Sequence, residues 1–207
     1  MADWKIIGGK TKKATLKSGI MSASLTYVGL NISRFSKTYS LVLNFKFPEN
    51  EMYGINNIVS CNVDVVFLVN TESDLIADSI YVAVDKANKC LGKFLDAFSE
   101  FLMNSANSVL SSGDWIVAVE GISTLKDKYV KVTVDKLTSN MSDKRAYECV
   151  TSLSFPHQIY LMFMKKGSYL SHGIILWAED TDSVIQQASK TASQYFIEMS
   201  NLVSSIL

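Results

Sequence analysis

Cys149, His157 and His172 fall in neighbouring strand-like segments. A thiol beside an imidazole is the starting material for nucleophilic catalysis, because the imidazole can hold the thiol as thiolate. The phase of Cys149 argues the other way. It alternates with Tyr147, Leu153 and Phe155 on the apolar side of its segment, where a thiol is buried and inert. Metal-ligand spacing such as Cys-x-x-Cys or His-x-x-x-His is absent.

Four other patterns were weighed against plainer readings. Ser123-Thr-Leu-Lys126 matches Ser-x-x-Lys, a spacing that works when one helical turn brings the amine to the hydroxyl. Here it sits between strand segments, and no Ser-Asp-Asn or Lys-Thr-Gly partner exists; Gly121-Ile-Ser123 fails the nucleophile-elbow pattern because Leu125 holds the last position. Gly9-Lys10-Thr11 looks like the end of a phosphate loop, but the first glycine of that motif is missing. Glu179, Asp180 and Asp182 could serve a hard cation, yet at a helix start they are explained by capping and by the helix dipole. Lys10, Lys12, Lys13 and Lys17 could touch phosphates. Without interleaved aromatics they read better as charge that keeps a strand edge from aggregating. No residue is therefore assigned as catalytic, cofactor-binding or metal-ligating, and no cofactor is expected.

Composition points the same way. The chain has 207 residues, 48% hydrophobic and 19% charged, with 20 basic and 20 acidic residues, so no global charge draws it to nucleic acid or a membrane. Eighteen of the basic residues are Lys; only Arg34 and Arg145 supply the planar fork that reads phosphates and bases bidentately. Nucleic acid is accordingly disfavoured as a partner. Apolar runs of about five residues are far short of the roughly 20 that span a bilayer. The N-terminus has no cationic region followed by an apolar one, so the sequons at Asn31 and Asn140 carry little weight. Cys61, Cys90 and Cys149 are odd in number and widely spaced, which fits reduced thiols and a cytoplasmic location.

The elements that would position these residues follow from periodicity. The basic stretch Gly8–Gly19 reads as a loop or hairpin, followed by a strand around Leu25–Ile32. Tyr39, Leu41, Leu43, Phe45 and Phe47 alternate with polar residues, and Pro48 ends that strand. Strand character returns at Val63–Val69. Ile80–Val84 is a strand or a first helical turn, and Asp85 to about Leu110 is a helix with the stripe Ala87, Leu91, Phe94, Phe98, Phe101. Strands follow at Trp115–Val119, Tyr129–Lys136 and Ala146–Phe155, with a turn over Leu137–Lys144. Ile159–Met164 and Ile174–Ala178 read as wholly apolar strands, and Thr181 onward as a second helix with the stripe Ile185, Ala188, Ala192, Tyr195, Met199, Leu202, Ile206.

The expected fold is α+β: antiparallel sheet packed with two long helices, in one compact unit over 1–207. Pro48 and Pro156 each end a strand that leads through apolar segments to a helix, which points to an internal duplication with halves of about 20–112 and 113–207. In that alignment Val65–Val69 matches Ile159–Met164, and Ile80–Val84 matches Ile174–Ala178. Wholly apolar strands need cover on both faces. Sheets packed face to face would provide it, as would a second copy of the chain. The expected function is a non-catalytic binding or assembly protein, self-associating as a homodimer or larger, or binding another protein, through apolar sheet or helix surface. The alternative is an enzyme or small-ligand carrier with a pocket between sheet and helices lined by Trp177, Tyr160, Phe94 and Phe98.

Overall fold

Along Met21–Leu25 and Tyr39–Phe45 every second residue faces the core. Met21, Ala23 and Leu25 are buried, as are Tyr39, Leu41, Leu43 and Phe45, while Ser22, Ser24, Ser40 and Asn44 stay half-exposed. A period of two with one apolar phase makes a strand buried on one face. A computed structural model of the chain describes residues 4–7, 13–31, 36–46, 58–60, 62–72, 79–111, 115–117, 123–126, 129–141, 143–154 and 169–206.

The first sheet contains β1 (Lys5–Ile7), β2 (Lys13–Ser18), β3 (Met21–Asn31), β4 (Ser36–Lys46) and β6 (Asn62–Glu72), hydrogen-bonded in the order β1-β2-β3-β4-β6. The second contains β7 (Trp115–Val117), β8 (Ser123–Lys126), β9 (Val130–Met141), β10 (Lys144–Ser154) and β11 (Tyr169–Ala178). With β5 (Ile58–Ser60) its order is β5-β11-β10-β9-β8-β7. Every pairing is antiparallel. The β2–β3 hairpin turns through Gly19, whose φ of 51° lies in the left-handed region that glycine enters without strain.

Helix α1 (Ser79–Ser111) follows β6, and α2 (Thr181–Ser204) follows β11. At 1.5 Å per residue they run about 50 and 36 Å. The buried stripe of α1 packs on the first sheet, with the Phe94 and Phe98 rings 5.9 and 5.5 Å from Phe45. The stripe of α2, from Val184 through Ala188, Ala192 and Phe196 to Val203, packs on the second sheet and along α1. Among the described residues, no helix is long and apolar enough to cross a membrane.

Among the described residues the structure is α+β, with antiparallel sheets and two helices. Several finer expectations need correction. The sheets are not stacked face to face: their inner faces meet the helices, and the sheets approach each other where β6 lies beside β11. The segment Ile174–Ala178 is not covered on both sides. Ile174, Leu176 and Ala178 point inward and are buried, whereas Ile175 is half-buried and Trp177 is 37% exposed on the far face. Ile80–Val84 is helix, because Ile80, Ala83 and Ala87 already belong to the buried stripe. Asp85 therefore caps nothing; it sits inside α1 and pairs with Lys89 one turn on, at 3.2 Å. β9 continues through Leu137 to Met141, so the turn narrows to two residues opposite the Met141–Lys144 pair.

The two halves share one strand order: five antiparallel strands in sequence, then a helix lying on them. β4 corresponds to β10, each preceding a proline, and β6 corresponds to β11. Val65–Val69, in β6, thus matches Ile174–Ala178, and not Ile159–Met164, which lies outside the described residues. Details repeat as well. The Lys46 amide donates to the Ile20 carbonyl at 2.8 Å, and the Ser154 amide donates to the Tyr129 carbonyl at 2.8 Å, closing the same corner in each half. The Trp4 indole N–H donates to Asn88 Oδ1 at 2.7 Å, and the Trp115 indole N–H donates to Ser189 Oγ at 3.2 Å. Each tryptophan begins its half and ties the first strand to the helix.

Candidate functional site

The thiol comes first. Cys149 lies on the inner face of β10 with no exposed surface. Burial pushes its pKa up to about 12, only partly opposed by a side-chain hydrogen bond with Thr151. A thiol so disposed is almost wholly protonated at neutral pH and is a poor nucleophile. The strand register places Ile174 opposite Cys149, and His172 opposite Thr151. His157 and Cys61 lie outside the described residues. Cys90, half-buried on α1, is free, as is Cys149.

The other patterns lose their geometry. Ser123–Lys126 is a strand, β8, not the helical turn that Ser-x-x-Lys chemistry requires. Glu179, Asp180 and Asp182 are all exposed. The Asp180 carboxylate accepts from the Ser183 amide at 2.7 Å and caps α2; that bond from the Ser183 backbone lowers its pKa. Among the described residues no group of three or more His, Cys, Asp or Glu is placed to hold a metal ion. The aromatic set does not converge. Phe94 and Phe98 stack on each other at 5.5 Å in the core, whereas Trp177 faces outward from the second sheet. Tyr160, Gly9, Lys10, Thr11 and Lys12 lie outside the described residues.

What remains is two outward sheet faces of different character. On the second sheet, Ile175 and Trp177 follow each other along β11, and Val150 of β10, opposite Gly173, lies diagonally beside Ile175. Ile175 and Val150 are half-buried and Trp177 is exposed. At the far edge of this sheet, Ile116 of β7 is 70% exposed.

The first sheet turns a basic, hydroxyl-rich face outward. Lys5, opposite Thr15, and Lys17, opposite Ser22, are exposed, as is Lys46 at the end of β4. Between them lie Thr15, Ser22, Ser24, Thr26, Ser40 and Asn44, all half-exposed. The sequence signal for this face was legible but dispersed. Eight of the twenty basic residues fall between positions 4 and 48, and no acid does. The cluster at Lys10–Lys17 is only part of it, and the strands bring Lys5 and Lys46 to the same outward face as Lys17.

Compared with protein-family models, with curated proteins and with solved structures, the chain matches none.

Proposed function

We propose that the chain is a non-catalytic binding or assembly protein that associates with a second copy of itself through the outward apolar face of the second sheet. The observation that carries this reading is the exposed indole of Trp177 beside Ile175 and Val150. Glu148 stands directly opposite Ile175 on this face, so the apolar patch is small, but an exposed tryptophan beside two aliphatic side chains is the kind of residue that anchors interfaces. A second copy would bury the patch. About 800 Å² per partner is the ordinary size of such a contact.

Sedimentation equilibrium at tens of micromolar tests it. The expected mass is that of two chains or more, with weak dependence on salt because no ion pair is invoked. Trp177→Ser should return the mass to one chain. A one-chain mass for the unaltered protein overturns the reading.

The same proposal includes descent of the two halves from one duplicated strand-and-helix unit. Asp-Trp at 3–4 and 114–115, Thr-Leu-Lys at 15–17 and 124–126, and Phe-Pro at 47–48 and 155–156 support it alongside the shared topology. A cytoplasmic location belongs with it, on the strength of two free thiols.

A further inference from the structure

We propose that the outward face of the first sheet is a docking surface for anionic lipid headgroups at a membrane–water interface. This surface is separate from the apolar face of the second sheet and does not rest on self-association.

The argument begins with charge. The protein is neutral as a whole, but a ligand feels the charge within a Debye length, about 8 Å at physiological salt. Strands β1 to β4 contain no acid at all. Lys5 and Lys17 are diagonal neighbours across the β1–β2 pair, with side chains exposed on the same face. Lys13 is the other diagonal neighbour of Lys5 in the register. The nearest acid on an adjoining strand is Asp64 of β6, opposite Asn44 and diagonal to Lys46. It offsets Lys46, but it is three strand spacings from Lys17, about 14 Å. Asp3 stands two residues before Lys5 in the chain and offsets part of its charge, whereas no acid lies between Asp3 and Glu49, so Lys17 keeps its positive potential. The second sheet does not share this character. There, the positions facing each other on β9 and β10 include Asp135 opposite Glu148.

Three features select a lipid surface over a nucleic acid. The exposed cations on this face are lysines, point charges suited to a diffuse anionic surface, whereas bidentate phosphate and base reading favours arginine. Among the described residues the face carries no aromatic side chain for base stacking, since Tyr39 is buried and Tyr27 packs edge-on against it at 5.6 Å. One apolar side chain stands exposed beside Lys5 on the same face of β1, Ile7 at 46%. Apolar residues flanked by lysines suit the boundary between headgroups and acyl chains. The serine and threonine hydroxyls between them can hydrogen-bond headgroup oxygens.

Vesicle co-sedimentation of the full chain tests the proposal, with phosphatidylcholine vesicles compared with vesicles in which about one lipid in three is phosphatidylserine. The chain should sediment with the anionic vesicles, not with the neutral ones, and should be released as salt rises. Each lysine near such a surface is worth about a fivefold change in partitioning, so Lys5→Gln with Lys17→Gln should weaken binding about 25-fold. Lys131→Gln with Lys136→Gln, the same charge change on the second sheet, should leave binding unchanged. Trp177→Ser should also leave it unchanged, which separates failure of this proposal from failure of the self-association reading. Circular dichroism establishes that each variant is folded. Equal sedimentation with both vesicles, no sedimentation with either, or undiminished binding by the Lys5/Lys17 variant would overturn the proposal. So would binding of a short DNA duplex that depends on Lys5 and Lys17 in the absence of vesicle binding, which would reassign the face to nucleic acid.

Discussion

Ser99 of α1 and Ser200 of α2 bond to each other reciprocally. Their hydroxyls lie 2.7 Å apart; the Ser99 hydroxyl also reaches the Ser200 carbonyl at 3.3 Å, and the Ser200 hydroxyl reaches the Ser99 carbonyl at 3.0 Å. Backbones can come this close only where both side chains are small. The two serines are 101 residues apart. The same step carries Ala87 to Ala188, Phe94 to Tyr195 and Phe98 to Met199, all buried. The helices thus cross at Ser99 and Ser200, and the same spacing of 101 residues relates three further pairs of buried residues along them.

Ser99→Ala and Ser200→Ala should each lower stability by about 0.5–1.5 kcal/mol, the net worth of a hydrogen bond. A double-mutant cycle should return a coupling of similar size, since the two remove one shared interaction. Ser99→Leu should cost more, about 1–3 kcal/mol, by forcing the helices apart. Urea denaturation measures all three. Additive single effects would mean that the hydroxyl–hydroxyl contact contributes nothing beyond the bond each serine makes to the opposite carbonyl.

Cys149 links burial to alkaline stability. A thiol in the unfolded chain titrates near its ordinary value of 9.0, and the native thiol near 12. Between these values the unfolded chain loses the proton while the native protein keeps it. The stabilisation is complete below pH 9 and is lost as pH rises through this window, by up to about 1.4 kcal/mol per pH unit. Cys149→Ala should flatten that alkaline decline. In the native protein at neutral pH, a chromogenic disulfide reagent should react with Cys149 only at the rate of unfolding. Fast labelling would contradict the buried assignment.

At the start of α2, Asp180→Ala should lower the melting temperature by removing the acceptor for the Ser183 amide, whereas Asp180→Ser should retain most of it. The depressed pKa fixes the pH dependence. The cap stabilises above the ordinary carboxylate range and is lost as pH falls through the lowered native value. Thermal melts at neutral and strongly acidic pH should therefore differ by less in the Asp180→Ala variant than in the parent.

Neighbouring residues of β11 should respond oppositely to polar substitution. Leu176 is 8% exposed, on the inner face. Leu176→Asp buries an unpaired charge and should unfold the protein outright. Trp177→Ser lies on the outer face and should leave the circular dichroism unchanged. A folded Leu176→Asp variant would mean that this face of β11 is not packed.

The regular parts of the fold were legible wherever one period dominated. The strand from Thr38 onward alternates cleanly, and the stripes Ala87–Phe98 and Ala188–Met199 repeat at three and four, so their type and buried side followed directly. Ile174–Ala178 was harder because both phases are apolar, and such a run does not say which side meets water. The start of α1 stayed open between a strand and a first helical turn because Ile80–Val84 is apolar and rich in β-branched residues; it is the helical turn. The basic face was missed because Lys5, Lys17 and Lys46 are far apart in the chain and become neighbours only through the strand pairing. The tryptophan ties were out of reach for the same reason, with Trp4 bonding to a residue 84 positions away.

β5 lies in the first half of the chain but, among the described residues, pairs only with β11, where Ser60 faces Ser171 and Ile58 faces Gly173. At translation rates of roughly 5–20 residues per second, Ile58–Ser60 must wait about 5–20 seconds after leaving the ribosome before their partner strand is made. The first sheet and α1 can assemble in that interval, but the second sheet cannot gain this edge strand until β11 has been made. The short strand thus acts as a late clasp between two separately synthesised bodies, and an intact clasp marks a chain that has been made at least as far as β11.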